Sequence, residues 1–353
     1  MTGRGKSLFL FVSNPPGHIS GPAVSVPNLA RALGPFIPSR VFNVAAGATP
    51  FEVAGVEVVP WREHQGLERP AACIFEGLFR PEMWAAARHY RRKKVKYVIS
   101  PRSNLMRSAI KKNILKKAVA LVGPAGFYLG KASCIHFLSN AEQENSFTFG
   151  KPNFTCGNGV ISRSIAKSTP KDLSIAFMGR YDIYHKGLDL LIEGIQIAAT
   201  SMRDAKVKID LFGSDYRGAR AALERRVYAE NLSDLVTVND PLVGDDKYAT
   251  LAQYRYFIHS SRYEGQPQAV LEAMSVGCKP LVSTGCNLEP EIDQLGGCRF
   301  PPSAVGVAHA LQQVSRGTLP QPSMSCEAYL ELFHRWDVLA HQFVSGLNEL
   351  ELI

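Results

Sequence analysis

The stretch that decides the fold runs from Tyr254 to Thr284, YRYFIHSSRYEGQPQAVLEAMSVGCKPLVST. It opens with a β-branched and aromatic run, YRYFIHSS, and turns through Gly265-Gln266-Pro267. It then enters a helical segment around Val270, Leu271, Ala273 and Met274 and resumes as the strand-like KPLVST. Strand, turn, helix and strand make a βαβ unit, whose strands pair in parallel. Pro267 suits the start of the helix, because its φ is already helical and its missing N–H would be unpaired there anyway. Glu264 falls at the carboxyl end of the first strand and Glu272 inside the helix, with seven residues between them. In open parallel sheets, ligands sit outside the carboxyl ends of the strands, where amides at helix starts hold phosphate. A carboxylate accepts from two hydroxyls, so two acids at this edge suit a polyhydroxylated ligand beside phosphate. The plain alternative is an exposed strand-end acid and a helix-surface acid with no ligand.

The same alternation extends in both directions. Downstream of LSIAFMG, the segment KGLDLLIEGIQIAAT keeps Leu188, Leu191, Ile192 and Ile195 on one helical face. VKIDLFG, a charged helix over residues 219–230, LVTVN and a short helix near residues 247–252 follow. Upstream, SLFLFVS, RVFNVAA, GVEVVPW, KYVIS and ASCIHFLS are expected strands. Helices are expected after Pro22, around residues 83–92 and over residues 105–122. CGNGVISRSIAKSTPKDL is rich in turn formers and lacks an apolar period, which puts a linker between Thr155 and Asp172. The expectation is an α/β protein of two doubly wound parallel-sheet domains, residues 1–165 and 166–325. Residues 326–353 are expected to form one long amphipathic helix reaching back to the first domain.

Two further strand-to-helix junctions resemble the first in character. FMGRYDIYHKGLDLL ends a strand at Gly179 and brings Arg180, Lys186 and Gly187 to a helix entry. A lysine point charge and an arginine fork there suit a diphosphate, although surface cations are common. SNPPGHISGPAVSVPNLARAL offers Gly17 and Gly21 for close backbone approach, without the G-x-G-x-x-G fingerprint of dinucleotide sites.

Composition bounds the remaining possibilities. A chain of 353 residues, 46% hydrophobic, can bury two cores. No leader segment and no apolar run near the ~20 residues that cross a bilayer is evident, so the expectation is a cytoplasmic protein. Seven scattered cysteines without a C-x-x-C pair suit reduced thiols. No D-x-D pair and no cluster of His, Cys and Asp at ligand spacing points to a metal, and no cofactor is implied. The net charge of +9 is uneven, since residues 83–141 contain no Asp or Glu. Arg88, Arg91, Arg92, Lys93, Lys94, Lys96, Arg102, Arg107, Lys111, Lys112, Lys116 and Lys117 all lie there. Within that block Met106, Ile110, Ile114, Ala118 and Leu121 mark a helix with one buried and one basic face. The block suits a solvated surface, an anionic membrane or lipid-phosphate contact, or nucleic acid. No RNP motif or aromatic-interleaved basic strand favours the last, and no nucleic-acid partner is expected.

Taken in order, Gly179-Arg180 with Lys186-Gly187, Gly213 after the next strand, and Ser261-Arg262-Tyr263-Glu264-Gly265-Gln266-Pro267 with Glu272 resemble the motifs of family 4 glycosyltransferases. The resemblance is specific over residues 155–285, and YVISPRSNLMRSAIKKNILKK is similar to a segment of members that build surface polysaccharides. It implies the GT-B fold, two Rossmann-like domains facing a central cleft. The first would lie on the acceptor side and the second would hold a nucleotide diphosphate sugar. It further implies retaining, metal-independent transfer of a hexose to a glycan or lipid-linked acceptor, in a cytoplasmic enzyme touching the inner face of a membrane. Arg180 and Lys186 would hold the donor diphosphate and Glu272 the ribose. Glu264 and the backbone of Gly265, Gln266, Pro267 and Gln268 would face the sugar, with Gly21, Gly179 and Gly213 close to the donor. Arg102 stands where many members have histidine, and it is expected to stabilise the leaving phosphate, with His18 as the lesser substitute. Ser103 stands where glycine is usual. The other histidines stand singly and receive no role. An epimerase or phosphorylase on the same fold, or a non-catalytic sugar-nucleotide-binding protein, remains as the alternative.

Overall fold

The structure, a computed structural model, describes residues 7–16, 20–112, 114–161, 171–242, 244–288 and 290–353. The chain divides into two compact units, Met1–Gly159 with His334–Ile353, and Val160–Phe333.

In the first unit the described residues form an eight-stranded sheet from β1 (Leu8–Val12), β2 (Ser39–Asn43), β3 (Phe51–Val53), β4 (Val56–Pro60), β5 (Ala72–Glu76), β6 (Lys96–Ser100), β7 (Cys134–Phe137) and β8 (Asn153–Thr155). Their order is β3-β4-β2-β1-β5-β6-β7-β8, parallel except for the β3-β4 hairpin. The central strand β1, LFLFV, is apolar on both faces because both faces are covered. Phe9 and Phe11 enter one core with Phe75, Tyr90 and Tyr128. Leu8, Leu10 and Val12 enter the other with Leu29, Leu33 and Phe343. The helices are α1 (Gly21–Leu33), α2 (Pro81–Arg92), α3 (Arg107–Lys111), α4 (Ile114–Val122), α5 (Pro124–Lys131) and α6 (Asn140–Glu144).

In the second unit β9 (Lys171–Met178), β10 (Lys208–Phe212), β11 (Val236–Asn239), β12 (Tyr254–His259), β13 (Lys279–Ser283) and β14 (Cys298–Phe300) form an all-parallel sheet of order β11-β10-β9-β12-β13-β14. It is covered by α7 (Leu188–Asp204), α8 (Ala219–Ala229), α9 (Gly244–Leu251), α10 (Gln268–Met274), α11 (Ala304–Arg316) and α12 (Cys326–Phe333). Ile175 and Phe177 face the core under α7 and α11, while Ala176 and Met178 face the one under α10 and α12.

Two expected helices are corrected. The single helix over residues 105–122 is two short ones, α3 and α4, because Lys112 is extended and the Lys117 ammonium donates to the Ala109 carbonyl, capping α3. Its expected buried face is mostly in solvent. Met106 is buried but lies outside the helix, whereas Ile114 and Ala118 are exposed. The single closing helix is also two. His334 is buried with Nδ1 2.9 Å from the Asn158 carbonyl and Arg335 is extended. The chain therefore breaks between α12 on the second unit and α13 (Trp336–Glu349) on the first. Of the expected linker, residues 162–170 lie outside the described residues, as do Gly17 and His18.

Candidate functional site

The order of the second sheet reverses direction at β9 and β12, which are parallel neighbours. That switch point is where an open α/β sheet leaves a crevice at its carboxyl edge. Gly179 follows β9 and Glu264 follows β12, so the fold brings the two sequence motifs to one edge. Glycines permit the close approach. A Cβ on Gly213 would stand 2.1 Å from the Gly179 carbonyl oxygen, and one on Gly187, at φ 64°, would stand 2.1 Å from that of Ser260. Gly187 thereby folds the chain so that Lys186, just before α7, reaches the end of β12.

There Lys186 Nζ donates to Glu264 Oε1 at 2.7 Å, and Ser261 Oγ donates to the same oxygen at 2.8 Å. His259 Nε2 and His185 Nε2 stand 3.5 and 3.7 Å from it. The backbone of Glu264 is fixed from both sides, since its N–H donates to Gly285 and its carbonyl accepts from Asn287 Nδ2. Burial alone would raise the Glu264 carboxyl. Lys186 first, then His185 and His259, outweigh it and hold the group well below the usual carboxylate range. His259 is wholly buried and stacked on Phe177. Burial, and then Lys186, lower it to about 4, so it is neutral at pH 7. His185, stacked on Tyr263, is lowered by burial despite Glu264. All these contacts fall on Oε1, and among the described residues none is made to Oε2.

Glu272 repeats the pattern. It is buried on α10, and its Oε1 accepts from Lys247 Nζ of α9 at 2.8 Å and from the Tyr248 hydroxyl at 3.4 Å. It is not a helix-surface acid. Each glutamate thus has its Oε1 engaged by a lysine. Gly265, Gln266 and Pro267 are buried between Glu264 and Gln268, the first residue of α10, with Pro267 as N-cap. Arg180 is the more open cation. Its guanidinium lies 4.2 Å over the Tyr216 ring and bonds Asp182 at 3.2 Å, and its side chain is 44% exposed against 16% for Lys186.

In the first unit, Arg102 and Ser103 both adopt left-handed φ, 49° and 67°, the conformation for which glycine is usual. The Ser103 N–H donates to Glu142 Oε1 at 2.6 Å and the Leu138 N–H to Glu142 Oε2 at 2.7 Å, which secures the turn without glycine. Burial pushes the Glu142 carboxyl up to about 7, against the pull of those two amides. Arg102 is ion-paired with the buried Glu76 and donates to Asn158 Oδ1 at 2.9 Å. It enters as a neutralised arginine rather than an unpaired cation. Gly21 starts α1, and a Cβ there would meet nothing within 4 Å.

His185, His259 and Lys247 had no assigned role in the sequence. The available signals were His185 directly before Lys186 and His259 at the last position of the strand preceding Glu264. Among the described residues, no group of three or more His, Cys, Asp or Glu side chains is placed to hold a metal ion.

Residues 172–316 match the family model described as glycosyl transferases group 1. A GDP-mannose:cellobiosyl-diphosphopolyprenol alpha-mannosyltransferase of Xanthomonas campestris is 30% identical over 110 residues, which is 31% of this chain and 28% of that protein's length. The sucrose-phosphate synthase of Thermosynechococcus elongatus superposes with a TM-score of 0.75 at 14% identity, covering 98% of this chain and 99% of its own. Anabaena Alr3699/HepE, solved with UDP and glucose, superposes with a TM-score of 0.73 at 15% identity, covering 97% and 99%. With two parallel-sheet units and these likenesses over nearly the whole chain, the protein has the fold of the GT-B glycosyltransferases, and the group 1 glycosyl transferase region lies in its second unit.

Proposed function

We propose that this protein is a retaining, metal-independent glycosyltransferase. It would move a hexose from a nucleotide diphosphate sugar to a glycan or lipid-linked acceptor in bacterial surface-polysaccharide or lipopolysaccharide assembly. The observation that carries this reading is the Lys186–Glu264 pair at the switch point, with His259 held neutral behind it. Lys186 supplies fixed positive charge for a leaving diphosphate in a site where burial strengthens it, and Arg180 supplies a second, movable charge. Glu264 Oε2 is the acceptor for a hexose hydroxyl, and Glu272 Oε2 for one on the ribose. In the transfer, the acceptor hydroxyl oxygen bonds to the anomeric carbon on the face the leaving group vacates. The sugar–phosphate C–O bond breaks, and the hydroxyl proton passes to the departing phosphate oxygen. Arg102, bridged to Glu76 and Asn158, would act from the first unit, and Gly21 leaves room for a phosphate near its backbone. The enzyme would work in the cytoplasm, touching an anionic membrane at its inner face.

The partial relative makes GDP-mannose the first donor to test, beside UDP-, ADP- and dTDP-sugars. A true donor at about 100 times its dissociation constant should stabilise the fold by about 2.7 kcal/mol in a thermal-shift panel. With that donor and an acceptor, product should form equally well in EDTA and disappear in Glu264→Ala. Turnover that survives Glu264→Ala, or product that needs no acceptor, sinks the reading.

A further inference from the structure

The helix α4 is anomalous for a globular domain, because none of its nine residues is buried. Leu115, Val119 and Val122, spaced i, i+4, i+7 on one stripe, are 80, 74 and 92% exposed. An isolated helix of this length is marginal in water, and an apolar stripe facing solvent supplies no packing to hold it. On its inner side Leu121 touches the core under α2 and α5. The outer stripe continues into Phe127 of α5, itself exposed and flanked by Arg91 at 5.2 Å and Lys131 at 5.9 Å. Beneath the α4–α5 junction lies a groove of about 470 Å³ lined by Trp84, Arg88, Arg91, Val122 and Phe127 among others. The charged residues that line the groove, Arg88 and Arg91, are both basic. Residues 83–141 hold no acid, and among the described residues Arg88, Arg91, Lys111 and Lys116 pair with none. Lys117 is different, since it turns inward to the Ala109 carbonyl and the Phe79 ring.

We propose that α4 is a membrane-insertion element. Leu115, Val119 and Val122, with Phe127, enter the head-group and acyl boundary of an anionic bilayer, while Arg88, Arg91, Lys111 and Lys116 meet lipid phosphates. Charge complementarity selects this occupant, because a basic rim around an apolar stripe matches an anionic lipid surface and repels a second copy of itself. The inference deepens the membrane part of the proposed function but needs no donor. A protein that binds vesicles and transfers nothing refutes only the transfer, and one that transfers to a soluble acceptor without binding vesicles refutes only this.

The full chain is floated with phosphatidylcholine vesicles with and without phosphatidylglycerol. Binding is expected only to the anionic vesicles. The combined Leu115→Ser, Val119→Ser and Val122→Ser variant, altered only at exposed sites, should bind about tenfold more weakly or worse with an unchanged melting temperature. Lys111→Gln with Lys116→Gln should weaken binding and its salt dependence. In Val119→Trp, tryptophan emission should shift to the blue on adding anionic vesicles. Wild-type binding by the serine variant, or an unshifted emission, overturns the proposal. So does a wild-type dimer in light scattering that the serine variant abolishes, which would assign the stripe to a second copy.

Discussion

At the residue scale the decisive contact is a lysine against a carboxylate, both half-buried, with side chains 16% and 12% exposed. Breaking such a pair from one side leaves an uncompensated charge, so Lys186→Met should cost about 3 kcal/mol in denaturant unfolding. Adding Glu264→Gln should recover much of that loss, giving a double-mutant coupling above about 1 kcal/mol; additive losses would deny the pair. Buried titratable groups in both units set part of the pH response. His259 is lowered to about 4 and His136, through burial and then Arg102, to about 3. Below the unfolded value near 6.5, the unfolded chain takes protons that the folded one refuses. Each histidine therefore removes about 1.4 kcal/mol per pH unit as pH falls toward 4. Glu142, raised to about 7, acts with the opposite sign. It takes its proton first in the folded state, so its contribution grows as pH falls from about 7 to the unfolded carboxyl value near 4.5. Glu142→Gln should then lose stability more steeply than wild type in urea unfolding between about pH 7 and pH 5; an equal slope would mean Glu142 titrates normally. Glu264 and Lys186 were legible in the sequence because a turn and a glycine step mark each junction. His185, His259 and Lys247 were not. Their meeting with the two glutamates depends on which strands are neighbours, and spacing along the chain does not encode that.

At the element scale, long buried strands and amphipathic helices announced themselves, whereas elements held by tertiary contacts did not. β1, β9, β12 and α7 have the apolar runs or helical period that fix their type. β3, β8 and β14 have three residues each and exist because a neighbouring strand pairs with them. The segment over residues 105–122 failed for a different reason. Its period is genuine, but Lys117 satisfies the end of α3, and α4 meets a core only through the half-buried Leu121 and buries none of its residues. Glycines separate by the same reasoning. At Gly213 an added Cβ meets the Gly179 carbonyl and the fully buried Tyr181 ring, whose hydroxyl lies 2.9 Å from the Leu211 carbonyl and 2.7 Å from that of Asn239. Nothing there can yield, so Gly213→Ala should cost about 3 kcal/mol or more in unfolding. Gly21→Ala meets open space at a helix start and should leave stability within about 0.5 kcal/mol. A reversal of that ranking would refute the packing described for the two junctions.

At the scale of the whole molecule, the two units are unequal in connectivity. The second is continuous from Val160 to Phe333, while the first is completed by the last segment of the chain. α13 supplies Leu339, Ala340, Phe343 and Leu347 to the core that also holds Leu8, Leu10 and Val12. Its fit is close. A Cβ on Gly346 would stand 2.6 Å from the Phe154 ring, and one on Gly159 would stand 2.4 Å from Trp336. The sheet face that α1 covers in part with Leu29 and Leu33 is therefore completed only by the final residues, and its stability rests on contacts between chain ends. Phe343→Ala should remove about 3 to 5 kcal/mol from the first unit and leave the second untouched. Calorimetry should resolve this as one transition moved down and one unmoved. Had both transitions fallen together, the units would unfold as one cooperative body, and the closing helix would serve the whole chain rather than the first sheet.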